Sequence, residues 1–437
     1  MATGKPNGSK QKNLDYELAY AGKKSREEIL SAAPAILETV FTVTMETKQP
    51  WQNRLYWGDN YQTLLNLVND PNVRGKVKLV YIDPPFSTNS IFESRSLDHA
   101  YHDNLTGSAF IEFLRERLVL LHELLADDGS IYVHLDGIMA FQIKVIMDEI
   151  FGLKNFRNWI TRKKCNRKNY TRNTYGNISD YILFYTKSDN YIWHRVYEPW
   201  TEEAIRREYP CIDTDGRRYK KVPIHAPGVR NGSTGGEWRG MMPPRGKHWQ
   251  YTPDKLNEFD AAGEIYWSPT GNPRRKIYVE NSSGIPAQDI WSEFRDAHNQ
   301  NILITGYPTE KNAFMLDRII EASSNEGDLV MDCFSGSGTT LDRANRLKRR
   351  WIGIDSGFEA IRTTLTRLSD GTRPMGDFVQ ERLQLEAPPP TLFDNIEPVD
   401  RRVEALQRYN FDLMYDRIVV EGEEQLATIR ALQENFR

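Results

Sequence analysis

The period of apolar and polar positions changes along this chain, and the changes outline its organisation. From Val77 the run Val-Lys-Leu-Val-Tyr-Ile is apolar and β-rich, and it stops at Asp83-Pro84-Pro85. Proline cannot donate to a strand ladder and restricts the residue before it, so a buried strand ending in a rigid loop is predicted. Apolar residues then recur at helical spacing from Phe110 to Leu125, and Gly129 precedes a second strand, Ser130 to Leu135. Order returns at Asp328, where Leu-Val-Met-Asp-Cys-Phe runs into Ser335-Gly336-Ser337-Gly338-Thr339-Thr340, then a helix to about Arg350 and a strand from Trp351 to Asp355. This is a βαβ unit, and the alternation predicts an α/β fold.

Between about residues 160 and 300 the texture differs: Gly and Pro are frequent, Trp and Tyr are scattered, and helical periodicity is rare. A separate, irregular, β-rich domain is predicted there. At the start, a polar lead of about 15 residues gives way to a predicted helix over Ser25 to Glu38, with Ser25 as N-cap and Glu28 at the capping-box position. The tail carries a proline run, Pro388 to Pro390, then charged helical stretches Val399 to Tyr409 and Gly422 to Phe436. The expected division is an N-terminal extension (1–50), a first half-domain (51–160), the irregular domain (161–300), a second half-domain (301–380) and a tail with helices (381–437).

Composition narrows the class. A length of 437 residues exceeds one ordinary domain, and 39% hydrophobic with 11% aromatic residues predicts a folded chain. No run approaches the roughly 18 apolar residues of a membrane span, and Met1 to Asn13 has no signal-peptide pattern. An intracellular, cytoplasmic protein with no membrane partner is expected. Cys165, Cys211 and Cys333 lie far apart, so free thiols are expected; the histidines, among them His99, His102, His134 and His298, show no ligand spacing, so no metal is expected. The net charge of −3 does not announce a nucleic-acid partner, but Arg162, Lys163, Lys164, Arg167, Lys168 and Arg172 crowd one segment among Asn and Tyr residues. That mixture contacts phosphates and base edges, or forms a solvated surface loop.

Two motifs carry candidate chemistry. The glycine-rich loop between a strand and a helix lets backbone approach a ligand, and Asp355, about twenty residues on at the end of the next strand, can accept hydrogen bonds from ribose hydroxyls. The loop lacks the Lys of a P-loop and the third Gly of a dinucleotide fingerprint, which leaves another nucleoside-bearing cofactor. Asp83-Pro84-Pro85-Phe86 presents a carboxylate, a rigid backbone carbonyl and an aromatic face together, a group that fits a planar amine. Alone, each motif is also what a tight turn requires.

Together, Asp83-Pro-Pro-Phe86 and Asp332-Cys-Phe-Ser-Gly-Ser-Gly-Thr-Thr340 resemble the amino-methylating DNA methyltransferases. Because the catalytic motif precedes the cofactor motif, the resemblance is to the β arrangement, which includes type III modification subunits and many solitary adenine methyltransferases. It spans roughly residues 50 to 360 and implies a Rossmann-like, doubly wound α/β methyltransferase domain of circularly permuted motif order, with residues 161–300 as an inserted target-recognition domain.

Residue by residue, it implies that Asp83, Pro84, Pro85 and Phe86 are catalytic, the aspartate carboxylate and the Pro84 carbonyl accepting the amine protons and Phe86 stacking on a base flipped out of double-stranded DNA. It implies S-adenosylmethionine as cofactor. Tyr56-Trp-Gly-Asp59-Asn60 resembles the segment whose Asp59 contacts the cofactor adenine, and Thr309-Glu310-Lys311 the segment that touches its methionine end. Phe334, Gly336 and Gly338 would line the methionine portion, Asp355 would hold the ribose, and Asp332, Ser337 and Thr339 would belong to the same cofactor-binding site. Asn312 and Cys333 stand where the family often has proline. An aspartate at the head of the catalytic motif favours adenine N6 over cytosine N4, whose enzymes usually have serine there. A homodimer and a restriction subunit are partners the resemblance implies; a catalytically silent specificity subunit and an RNA substrate are the rival readings. Trp238, Trp249 and Trp267 are expected to pack a small core rather than to stack on bases.

Overall fold

The computed structural model of the chain describes residues 16–44, 51–85, 107–165, 173–294, 303–304, 310–371, 373–374, 409–420 and 422–436. They form two compact units, residues 195–287 and the remainder.

The larger unit is built on one sheet whose strands, in chain order, are β1 (Leu37–Val43), β2 (Asn53–Trp57), β3 (Val77–Ile82), β4 (Leu125–Leu135), β5 (Phe156–Lys163), β6 (Ser179–Thr186), β7 (Ile290–Trp291), β8 (Leu329–Asp332), β9 (Arg350–Asp355) and β10 (Phe411–Asp416). Their spatial order is β1-β10-β2-β9-β8-β3-β4-β6-β5-β7. The run from β10 to β4 is parallel, and β1 and β6 join it antiparallel. Parallel strands covered on both faces read as continuous apolar runs. Along β3, Val80 and Ile82 enter one core with Leu64, Leu114, Leu118 and Ile143. Leu79 and Tyr81 enter the opposite core with Leu316, Ile320, Leu341 and Leu365. Helices Asn60–Asn69, Ser108–Leu124 and Ala140–Phe151 therefore cover one face, and Ala313–Ser323, Thr339–Arg346 and Phe358–Asp370 the other.

The sheet is doubly wound. The chain leaves β8 towards β9 on one side, and leaves β3 towards β4 on the other, so the winding reverses between β8 and β3. Ligands of open α/β sheets bind beyond the carboxyl ends of strands at such a reversal. Asp83-Pro84-Pro85 follows β3 and the glycine loop follows β8, so both motifs meet there although they lie some 250 residues apart in sequence.

Several expectations change. The capping box of Ser25 and Glu28 forms as read, but the helix is only Arg26–Leu30. Pro34 forbids its continuation, and Leu37–Val43, rich in β-branched residues, becomes strand β1 instead. In the tail, residues 399–408 lie outside the described residues, Glu423–Ala431 is helical, and Phe411–Asp416 is a strand paired between β1 and β2. Its sequence Phe-Asp-Leu-Met-Tyr-Asp alternates too briefly to show a period by itself. Residues 156–163 and 179–186 belong to the large sheet, and the second compact unit, 195–287, is shorter at both ends than the expected 161–300.

That unit holds an antiparallel sheet of Cys211–Ile212, Arg218–Pro223, Pro273–Tyr278 and Ile265–Trp267. Trp238 and Trp249 are buried with Leu256 and Phe259, and partly buried Trp267 packs against them, its ring stacked on Trp238 with centroids 5.5 Å apart. Each indole N–H finds an acceptor: Asn257 Oδ1, the Gly236 carbonyl and Asp260 Oδ1. These tryptophans are core, as expected. Among the described residues, no helix is long and apolar enough to cross a membrane.

Candidate active site

A cavity opens at the winding reversal, lined by Asn60, Tyr81, Asp83, Lys311, the loop from Asp332 to Ser337, and Asp355 among others. The glycine loop is clamped from several sides. Gly336 N donates to Asp355 Oδ2 (2.8 Å), Thr364 Oγ1 donates to the Gly336 carbonyl (3.0 Å), and Asn60 Nδ2 donates to the Cys333 carbonyl (2.8 Å). Arg367 Nε donates to the Ser337 carbonyl (2.6 Å), and the same guanidinium pairs with Glu310, both side chains almost fully buried. A backbone fixed this way is preorganised for a ligand and loses little freedom on binding.

Gly338 begins the next helix at φ +73°, and a Cβ there would lie 2.7 Å from Thr364 Cγ2. Gly338→Ala is therefore expected to destabilise the fold by about 1–3 kcal/mol and to weaken cofactor binding through the displaced loop, measured by urea unfolding and titration calorimetry.

Asp332 accepts hydrogen bonds from Thr340 Oγ1 (2.6 Å) and Phe334 N (3.0 Å). Burial, reinforced by the nearby Asp83 and Asp355 charges, nonetheless pushes its carboxyl up to about 7. Between the ordinary carboxylate range and that value the native state binds the proton and the unfolded chain does not. This group's contribution to stability must then fall as pH rises through the window. Unfolding midpoints at pH 5 and pH 8 should differ less in Asp332→Asn than in the native chain.

Asp83, at the end of β3, has its two oxygens in different surroundings. Oδ2 pairs with Lys311 Nζ at 2.9 Å, whereas Oδ1 is buried and has no hydrogen-bond partner among the described residues. Pro84 beside it is buried and Pro85 exposed.

Of the residues expected from sequence, the fold brings Asp83, Pro85, Lys311, Asp332, Phe334, Gly336, Ser337, Thr339 and Asp355 to one cavity. Asp59 is not among the lining residues. Its carboxylate caps helix Asn60–Asn69 by accepting from Tyr61 N and Gln62 N, and it pairs with Arg117 at 3.2 Å. Phe86 and Thr309 lie outside the described residues, as do Arg167, Lys168 and Arg172 of the basic segment. Lys163 and Lys164 are partly exposed. Arg162 is different: strand alternation turns it inward with Ile160, and it is fully buried, bonded to Asp180 Oδ2 (3.0 Å) and the Phe294 carbonyl (2.6 Å). The expectation that Arg162 meets DNA is corrected on that ground; only the period of two along β5 could have separated it from its neighbours.

Asn312, in place of proline, caps helix Ala313–Ser323 by accepting from Phe314 N and Met315 N. Sequence reading assigned no role in the site to Arg367, Thr364, Asn60, Tyr81 or His134. Each lies outside the two motifs and reaches the site only through the folded chain.

A doubly wound sheet with a nucleoside-type glycine loop and a carboxylate-proline pair at its winding reversal defines a group-transfer enzyme. The comparisons with known proteins give the family. A DNA methylase (N6/N4) family profile matches residues 77–366. The chain is 50% identical to the type II methyltransferase M.EcaI of Enterobacter cloacae over 375 residues, 85% of this chain and 82% of that protein. It is 28% identical to the Mod subunit of the type III restriction-modification enzyme StyLTI of Salmonella typhimurium, over 75% of this chain and 54% of that one, so it spans about half of that relative's length. Among solved structures, the M1.HpyAVI-SAM complex matches 72% of this chain and 99% of that chain at 15% identity, with a TM-score of 0.37. The chain belongs to the DNA methylase family and is an amino-directed DNA methyltransferase.

Proposed function

We propose that this enzyme transfers the methyl group of S-adenosylmethionine to the exocyclic N6 amine of an adenine flipped out of double-stranded DNA, at a specific sequence. The observation that carries the reading is the buried, unpartnered Oδ1 of Asp83 on a residue that lines the same cavity as the clamped glycine loop. An acceptor left empty in a buried place costs free energy unless a donor arrives.

The residues present fit the cofactor. Asp355 suits a ribose, the loop from Phe334 to Thr339 offers close backbone approach, and Lys311 and Ser337 are polar partners for a methionine end. When bound, S-adenosylmethionine supplies an electrophilic methyl group. The chain's own residues act on the amine. Asp83 Oδ1 accepts one N–H and the Pro84 carbonyl the other, which favours a pyramidal nitrogen whose lone pair is withdrawn from the ring. Lys311 anchors Oδ2, so Oδ1 is the oxygen left for the substrate and for the proton that the methylated amine releases. Asp83, rather than a serine, at the head of the motif supports adenine N6 over cytosine N4.

The recognition role falls to the unit of residues 195–287. Between residues 217 and 247 the sequence holds eight Lys and Arg and a single acidic residue, Glu237, in a chain of net charge −3. Such a local excess of cations favours a phosphate backbone.

Incubating the purified chain with methyl-labelled S-adenosylmethionine and either duplex DNA or RNA, then digesting to nucleosides, tests the reading. Label in N6-methyl-2′-deoxyadenosine from DNA supports it. Label in N4-methyl-2′-deoxycytidine, or in RNA alone, overturns it.

A further inference from the structure

Behind Asp83 lies a group of buried polar side chains that none of the motifs contains. His134 on β4 is fully buried. Its Nε2 is 3.0 Å from Asp180 Oδ2, its Nδ1 is 2.8 Å from the Tyr81 hydroxyl, and Nδ1 also lies 3.9 Å from Asp83 Oδ1. Asp180, on β6, is bonded on its other side by Arg162 Nη1 at 3.0 Å. Burial works against the Asp180 charge, but the hydrogen bond from His134 and the charges of Arg162 and Lys311 hold its carboxyl below the ordinary range.

In a neutral ring these distances place the proton on Nε2, because the Asp180 Oδ2 acceptor at 3.0 Å is nearer to it than the Arg162 Nη1 donor at 3.5 Å. A carboxylate oxygen only accepts, so Nε2 at 3.0 Å must present its N–H to Asp180. In the neutral ring Nδ1 is then a bare acceptor, and Tyr81 O–H donates to it. The opposite tautomer would set two lone pairs against each other at Asp180 and place an N–H on the side facing Asp83. At 3.9 Å that N–H makes no hydrogen bond as the groups stand, but a small shift of the carboxylate towards it would occupy Oδ1.

Resting on the proposed methylation at Asp83, we propose that His134, locked by Asp180 in its Nε2–H tautomer, is a positioning residue that keeps Asp83 Oδ1 open to an N–H of the target base. Arg162 serves the same end one step further back by holding Asp180. The arrangement explains how a buried acceptor persists unpaired beside an imidazole: the ring offers it no donor. It also gives the buried Arg162 a role in the site, since it is unavailable to DNA.

Two near-isosteric variants of the full-length chain separate this from simple packing. In His134→Gln the amide nitrogen occupies the Nε2 place, keeps the bond to Asp180 and presents no donor to Asp83. In His134→Asn the amide lies at the Nδ1 place and can donate to Oδ1. His134→Asn should lose about tenfold to a hundredfold in kcat with little change in KM for S-adenosylmethionine, while His134→Gln keeps most of its kcat. Nitrogen-15 NMR of histidine-labelled native chain reads the tautomer directly, without dependence on a variant's folding. An Nε2–H pattern is expected. A native ring protonated on Nδ1, or an Asn variant as active as the native chain, overturns the proposal. A native chain that shows the expected tautomer but does not methylate DNA overturns the functional reading instead.

Discussion

Asp83→Ala is expected to lower kcat for methyl transfer by about a hundredfold to a thousandfold, the cost of removing one preorganised electrostatic partner of a transition state. The cavity keeps its glycine loop in that variant, because the clamps on Gly336, Ser337 and Cys333 come from Asp355, Thr364, Arg367 and Asn60, none of which is hydrogen-bonded or ion-paired to Asp83. Cofactor affinity should therefore stay near that of the native chain, and the loss should fall on kcat. Asp83→Asn should lose less, since an amide oxygen can still accept one N–H, although the pairing with Lys311 at 2.9 Å is weakened. Single-turnover methylation together with calorimetric binding of S-adenosylmethionine separates the two quantities. A fall in affinity with unchanged turnover would place Asp83 in cofactor binding and not in the chemistry.

The second large effect lies in the clamp. Arg367→Ala removes the guanidinium that faces Glu310, and both side chains have lost nearly all contact with water. A buried carboxylate deprived of its ion partner is costly, so the variant is expected to be less stable by about 3–5 kcal/mol in denaturant unfolding. It also frees the Ser337 carbonyl from its bond to Arg367 Nε, so the loop that receives the cofactor loosens. Replacing Arg367 and Glu310 together by apolar residues of similar volume should restore much of the stability, because no charge is then stranded. Cofactor affinity should not return with it, because the Ser337 carbonyl still lacks its donor. A double variant that recovers both properties would contradict a separate role for the Arg367–Ser337 contact.

Much of this site is legible in the sequence because the chemistry sits at strand ends. Val77 to Ile82 and Leu329 to Asp332 are buried on both faces and read as plain apolar runs, and the Pro pair and the glycine loop mark where each stops. What the motifs could not reveal is which strands are neighbours. The contact of β3 with β8 is a tertiary fact, and so is the arrival of Arg367, Thr364 and Asn60 around one loop. The N-terminal segment misled because a sound capping box starts a helix without saying how long it runs; Pro34 ended it. Arg162 misled because charge density was read along the chain and not by face, and on a strand the neighbours of an exposed lysine point the other way. His134 showed no ligand spacing in sequence, which is a test for metals; its partners Asp180 and Tyr81 are set by the register of β4 against β6 and β3.

The most direct test of the central claim is to sequence, with modified bases detected at single-base resolution, DNA from cells that express this chain alone or its Asp83→Ala variant. The account predicts N6-methyladenine confined to one short motif with the native chain and none with the variant. Methylation that persists in the variant, or that falls on cytosine N4, would contradict it.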